Sequence, residues 1–228
     1  MPPVVAGRRG PAKRPTTLKA RRAHAEEIAR RLTLEFPDAV CELHHRNAFE
    51  LLAATILSAQ CTDARVNLVT PVLFARYTSP ADLAAADQGE LEEIIRPTGF
   101  FRNKSKSLIG MAAAVLDRFG GEVPAPMEDL VTVPGVGRKT ANVVRSVALG
   151  LSGLPVDTHV LRLSSRLGLT AETDPVRVET DLGALLEPGD WGRFSLRVIL
   201  HGRRVCSARK PSCGVCTLAD ICPSVGTG

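Results

Sequence analysis

The 228-residue chain has one Trp and one Tyr. So few aromatics exclude the rows of stacking side chains on which single-strand nucleic-acid binders rely. No apolar run reaches the length of a membrane span. No apolar stretch follows the basic N-terminal residues, as a secretory signal would require. Strand-like alternation is scarce and there is no internal repeat. These absences point to a cytoplasmic, largely helical protein with no membrane partner, a setting in which disulfides are rare. The first 22 residues contain no Asp or Glu.

What is present is 44% hydrophobic residues, enough to build a sizeable core in one large domain or two small lobes. The net charge of +5 is unevenly spread. Setting aside Arg8, Arg9, Lys13, Arg14, Lys19, Arg21 and Arg22 leaves 22 basic residues against 24 acidic ones, or −2 for the body. Any anion-binding face must therefore be local. One candidate is residues 191–219, with Arg193, Arg197, Arg203, Arg204, Arg209 and Lys210 and no acid. Another is Arg102, Lys104 and Lys106. Nucleic acid fits such patches, although charge runs more often only solvate helix faces.

Along the chain, Pro2, Pro3, Pro11 and Pro15 with Gly and Arg mark residues 1–17 as a disordered basic tail. Helical text follows. NAFELLAATILSAQ (47–60) is apolar nearly all round and reads as a buried central helix. Residues 62–76 continue as helix, with Pro71 as a kink or break. Ser79 before Pro80 is a helix start, and Pro97 with Gly99 interrupts the pattern. Further helices are expected at 104–119, 137–150, 158–167, 175–186 and 190–204. The sum is an all-α protein of about ten short helices with short links.

Six cysteines are present. Cys41 and Cys61 stand alone. Cys206, Cys213, Cys216 and Cys222 form C-x6-C-x2-C-x5-C. Four thiolates in one short segment suit either a tetrahedral zinc ion or an iron–sulfur cluster, and spacing alone leaves both open. A set of four leaves no open ligand position, which favours a structural role over a catalytic one.

The stretch VPGVGRKTANVV raises the chemical question. Gly135 and Gly137 permit close backbone approach, and with Val136 between them they form a hairpin whose amides, beside a helix start, can bind an anion such as a DNA phosphate. The plainer reading is a Pro-Gly turn. Lys139 falls in the first helical turn, where the dipole opposes a cation. It is either a solvated phosphate contact or a nucleophilic amine able to form a Schiff base. Asp157 in PVDTHVLR is a helix cap that is also able to present a carboxylate to a cleft. His159 reads as structural. Gln60 in SAQCTD is a polar residue at a helix end, and Phe100 next to Gly99 would ordinarily be core. On exposed loops, either can fill the gap left by a flipped base.

Taken together, LLAATILSAQCTD, TGFFRNKSKSL, VPGVGRKTANVV, PVDTHVLRL and VILHGRRVCSARKPSCGVC resemble the endonuclease III family of helix-hairpin-helix DNA glycosylases, in the right order over nearly all of residues 24–222. The resemblance implies a [4Fe–4S] cluster on Cys206, Cys213, Cys216 and Cys222, and a phosphate grip around Gly135, Val136 and Gly137. It implies catalytic roles for Lys139 and Asp157, and Gln60 filling the space of the extruded nucleotide. Phe100 stands where the family commonly has leucine. Two helical lobes are implied, with the active site in the cleft between them: a six-helix barrel over 41–151, including a helix-hairpin-helix at about 126–150, and a cluster lobe from 18–40 plus 152–228. The implied activity is that of a monomeric bifunctional glycosylase and AP lyase. It would remove oxidised pyrimidines from double-stranded DNA, or act at abasic sites, through a Schiff base on Lys139 and β-elimination. Two other readings compete with it. An adenine-mismatch glycosylase typically lacks the lysine. A non-catalytic iron–sulfur DNA-binding protein needs neither Lys139 nor Asp157.

Overall fold

The computed structural model describes residues 11–227. Among them there are eleven α-helices, three short 3₁₀ turns and no strand. The helices are α1 (Leu18–Glu35), α2 (Ala48–Leu57), α3 (Asp63–Arg76), α4 (Pro80–Ala84), α5 (Gln88–Ile95), α6 (Phe101–Phe119), α7 (Met127–Leu130), α8 (Arg138–Val147), α9 (Thr158–Arg166), α10 (Pro175–Gly183) and α11 (Trp191–Arg204). Most starts are set by local chemistry. Thr17, Asn47, Thr62, Ser79, Asp87, Asp157 and Asp174 each accept backbone N–H groups at the first turn of their helix. Ser79 and Asp82 complete a reciprocal capping box. Pro71 neither ends nor divides α3. It lies on the exposed face of that helix, where the freed carbonyl can be solvated. No helix among the described residues is long and apolar enough to cross a membrane.

The chain divides into two compact units, Cys41–Gly153 and Met1–Val40 with Leu154–Gly228. In the first, α2 packs against α3, α6 and α8, while α6 also covers α4 and α5. Nine of the ten residues of α2 are buried, which is why its sequence is apolar all round. Leu51, Leu52, Leu57, Leu73, Leu91, Leu108 and Met111 are fully enclosed, each contributing about 1.5–3 kcal/mol of burial. The second unit packs α9 between α10 and α11, and α1 against α11. Ile28, Leu32, Leu163, Leu182, Phe194 and Val198 form its core.

The end of the first unit is tied down tightly. Arg145 Nε donates to Ser152 O at 3.1 Å, and a Cβ on Gly153 would lie 2.4 Å from the backbone oxygen of Asn142. Backbone cannot yield as a side-chain tip can. Gly153→Ala is therefore expected to cost about 1–3 kcal/mol and to lower the melting temperature by several degrees on a circular dichroism melt. An unchanged melt would show that the turn is soft.

The expected disordered tail is only partly within view, since residues 1–10 lie outside the described residues. Residues 11–17 differ from the expectation. Ala12 N donates to Cys222 O at 3.3 Å, the Arg14 guanidinium donates to Ser165 O at 3.1 Å, and Thr17 caps α1. The stem of Arg14 also covers Gly168, so a long basic side chain finds both apolar cover and an acceptor.

Candidate active site

The hairpin is built from α7, the loop 131–137 and α8. Its loop is seated on its own unit: Pro134 lies over Gly110 of α6, and Gly135 approaches Ser107 and Ile56. Gly135 has φ +78, and a Cβ there would come within 3.0 Å of the Ser107 side chain. Both facts call for glycine. Gly137 is different, because its φ is −87 and an added Cβ would meet nothing within 4 Å. The open space is what glycine preserves, since it leaves the start of α8 approachable from outside. Gly137 has no side chain to cap α8.

Val136 departs from its expected role. It is 5% exposed and belongs to the hydrophobic core, and its N–H already donates to Val133 O at 3.0 Å. It anchors the hairpin from below, and the outward-facing backbone belongs to Gly135 and Gly137. Lys139 is exposed, in the first turn of α8.

Asp157 does two things with two oxygens. Oδ1 accepts from the backbone N–H of His159 and of Val160, both at 2.8 Å. Oδ2 accepts no hydrogen bond from the described residues, and the side chain is partly exposed. A cap and an available carboxylate oxygen therefore coexist in one residue. His159 is structural. Its Nδ1 receives Arg162 Nη2 at 3.1 Å, and burial holds its pKa below the ordinary histidine value, so it is neutral at pH 7. It packs so close to Gly202 that a Cβ there would sit 2.8 Å from Nδ1.

Gln60 and Phe100 are the two described non-glycine residues with positive φ, at 54 and 50. Both are exposed, Phe100 to 63%. A left-handed backbone is costly for such residues, and a solvated phenylalanine gains no burial in return, which makes both loops conspicuous. Of the basic group nearby, Arg102 and Lys106 are exposed. Lys104 is not a surface cation, because it is only 5% exposed and its ammonium is spent on backbone carbonyls. Arg197 likewise leaves the expected anion face. It is partly buried and donates to Phe36 O at 3.3 Å.

The four cysteines line one cavity with Leu163, Leu167 and other apolar side chains. Among the described residues, no three Cys, His, Asp or Glu side chains converge closely enough to ligate a single metal ion. Four sulfurs spread around one cavity fit a multi-iron body better than one zinc. Burial pushes the Cys216 thiol up to about 12 and raises Cys222 as well, and the positive charge of a bound metal centre would favour thiolates there. Polar groups surround the sulfurs: Arg166 Nη1 donates toward Cys206 Sγ at 3.4 Å, and His201, whose Nδ1 faces the Glu35 carboxylate, places Nε2 3.4 Å from Cys216 Sγ. Arg166 also clips the backbone of Ser207 and Ala208, while Arg31 holds Thr217 and Asp220. Sequence reasoning missed Arg166 and Arg31, because their partners lie about 40 and 190 positions away. His201, in the HG of HGRRVC, was within reach as the histidine one turn before Cys206.

An all-helical chain with an exposed lysine behind a glycine hairpin and four cysteines around one cavity defines a helix-hairpin-helix DNA-repair protein. Residues 53–188 match the HhH-GPD superfamily of base excision DNA repair proteins, and residues 206–222 match the iron-sulfur binding domain of endonuclease III. The chain is 54% identical over 208 residues to endonuclease III of Synechocystis sp., covering 91% of this chain and 95% of that one. Solved structures of a non-covalent endonuclease III–DNA complex and of a trapped endonuclease III–DNA covalent intermediate are each 44% identical. Each match covers 91% of this chain and 96% of the other, with TM-scores of 0.82 and 0.83. The chain belongs to the endonuclease III family, which makes it a base excision repair DNA glycosylase with AP lyase activity and a [4Fe–4S] cofactor.

Proposed function

We propose that the chain acts as a monomer in the cytoplasm on duplex DNA, removing oxidised pyrimidines through Lys139 and cutting the strand at the resulting abasic site. The observation that supports this most strongly is the placement of Lys139. Its amine is exposed in the first turn of a helix whose start lacks a side-chain cap and follows an open glycine. A phosphate held by the amides of that hairpin and helix start fixes the register of the strand. The amine then meets the sugar of a nucleotide extruded from the stack, with Gln60 and Phe100 entering the space it vacates. Lys139 Nζ attacks C1′, the bond from C1′ to the base breaks, and the base leaves with the electron pair. Opening of the sugar gives a Schiff base. Loss of the C2′ proton then expels the 3′ phosphate by β-elimination.

Asp157 supplies Oδ2 to the charge that develops at the sugar and takes up the amine's proton. Cys206, Cys213, Cys216 and Cys222 hold the cluster, which supplies a rigid staple and a redox centre whose potential Arg166 and His201 influence. A duplex carrying thymine glycol is expected to yield the free base and a strand cut 3′ to the lesion. Base release with an intact strand would contradict the lyase half of the reading.

The two roles of Asp157 separate experimentally. Asn caps helices as well as Asp does but carries no negative charge. Asp157→Asn is therefore expected to keep the melting temperature within about 2 °C, while thymine glycol release falls by roughly 10²-fold or more. Equal losses of stability and activity would reduce Asp157 to a cap.

A further inference from the structure

Lys104 is a buried lysine that no step above uses. Its ammonium donates to Leu57 O and to Thr98 O, both at 2.8 Å. Leu57 ends α2, and Thr98 ends the 3₁₀ turn Arg96–Thr98. The cation therefore closes two helical C-termini at once, satisfying carbonyls that would otherwise lack donors, at the ends where helix dipoles favour positive charge. Burial pulls its pKa below that of a free lysine, so the site tolerates the ammonium only because both acceptors are in place.

The position of those acceptors gives the contact its meaning. Gln60 lies three residues beyond Leu57, and Phe100 lies two residues beyond Thr98. These are the two described non-glycine residues held in left-handed backbone. Two strained, exposed loop tips, distant in sequence, thus spring from one ammonium. The rest of the hardware is local to each loop. Cys61 N donates to Ser58 O at 3.0 Å, and Lys104 N donates to Phe100 O at 3.1 Å. The latter bond makes Lys104 both the clamp and part of the turn that bends Phe100.

We propose that Lys104 is a positioning residue that locks the Gln60 and Phe100 loops in mutual register, so that both enter the DNA together when the target nucleotide leaves the stack. The inference rests on the reading of Gln60 and Phe100 as gap-filling residues. It assigns Lys104 to extrusion and not to the bond-breaking steps. Those steps occur on an already extruded sugar, and in single-stranded DNA they need no gap filled.

The test uses the full-length, cluster-loaded protein and two substrates. The first is a duplex with an unreactive tetrahydrofuran abasic analogue beside 2-aminopurine, whose fluorescence rises on unstacking. The second is single-stranded DNA with a true abasic site, scored by borohydride trapping. Lys104→Met is expected to slow the fluorescence rise roughly 10- to 100-fold, the scale of an ångström-size misplacement, with trapping on single-stranded DNA within about twofold of wild type. Gln60→Ala and Phe100→Ala report on the underlying reading and are expected to lose fluorescence amplitude. If they do so while Lys104→Met behaves as wild type, the clamp is refuted and the gap-filling reading stands. If they keep full amplitude, the gap-filling reading fails and the clamp with it. Should Lys104→Met not fold, Lys104→Gln, which keeps a shorter donor, takes its place. Loss of fold in both, or an equal fall in both assays, makes Lys104 a general core residue and overturns the proposal.

Discussion

Lys139→Gln is expected to abolish borohydride trapping on abasic DNA and to lower strand cleavage by roughly 10³-fold or more, as the loss of a covalent nucleophile does. DNA binding should change far less. Lys139 is exposed, and its loss removes one cation from a contact surface that also draws on the backbone of Gly135 and Gly137. One phosphate contact is a small part of a salt-dependent interface. The fold should not suffer, because a cation in the first turn opposes the helix dipole and the substitution relieves that. Activity and stability are thus expected to move in different directions, the signature of a residue kept for chemistry. Gel-resolved trapping, a binding titration at fixed salt and a thermal melt on the same preparation check all three.

Cys213→Ala is expected to lose the cluster, and with it the brown colour and the absorbance near ~410 nm that iron–sulfur proteins show. The loop cannot hold itself. After Arg204, where α11 ends, Leu218 is the one buried residue among those described, and the regular structure is the turn Cys213–Val215. So little apolar burial does not offset the ordering of some twenty residues, each costing about 1–2 kcal/mol of backbone entropy. What remains are polar ties to groups outside the loop: the guanidinium clips from Arg166 and Arg31, Arg162 on Cys206 O, Thr217 on the Glu35 carboxylate and Ala12 N on Cys222 O. Without the cluster these partners disperse. Limited proteolysis between 205 and 225 should become fast, and the melting temperature should fall by about 10 °C, equivalent to roughly 3 kcal/mol for a chain of this size. A wild-type protein that is colourless and carries zinc would contradict this account of the loop.

Local chemistry made the helices legible. Caps such as Asn47, Ser79 and Asp174, and glycines with positive φ such as Gly120 and Gly168, act within a few residues of themselves. The all-round apolar character of α2 announced its burial for the same reason. Tertiary burial was not legible. Lys104 reads as one of three basic neighbours, and nothing nearby tells that Leu57 O and Thr98 O await it. Val136 reads as part of a phosphate grip, yet its amide is taken and its side chain is core. Asp157 posed a choice between cap and carboxylate that only atomic detail resolves, because the two oxygens are used differently. Arg166 stayed hidden because the sulfur it faces is 40 residues downstream.

The amine of Lys139 is expected to form the covalent bond to DNA. Mass spectrometry of the borohydride-trapped complex, after digestion of protein and DNA, locates that bond directly. The sugar adduct is expected on the peptide containing Lys139, with unmodified lysine at 104 and 106. An adduct on any other lysine, or on an N-terminal amine, would contradict the account.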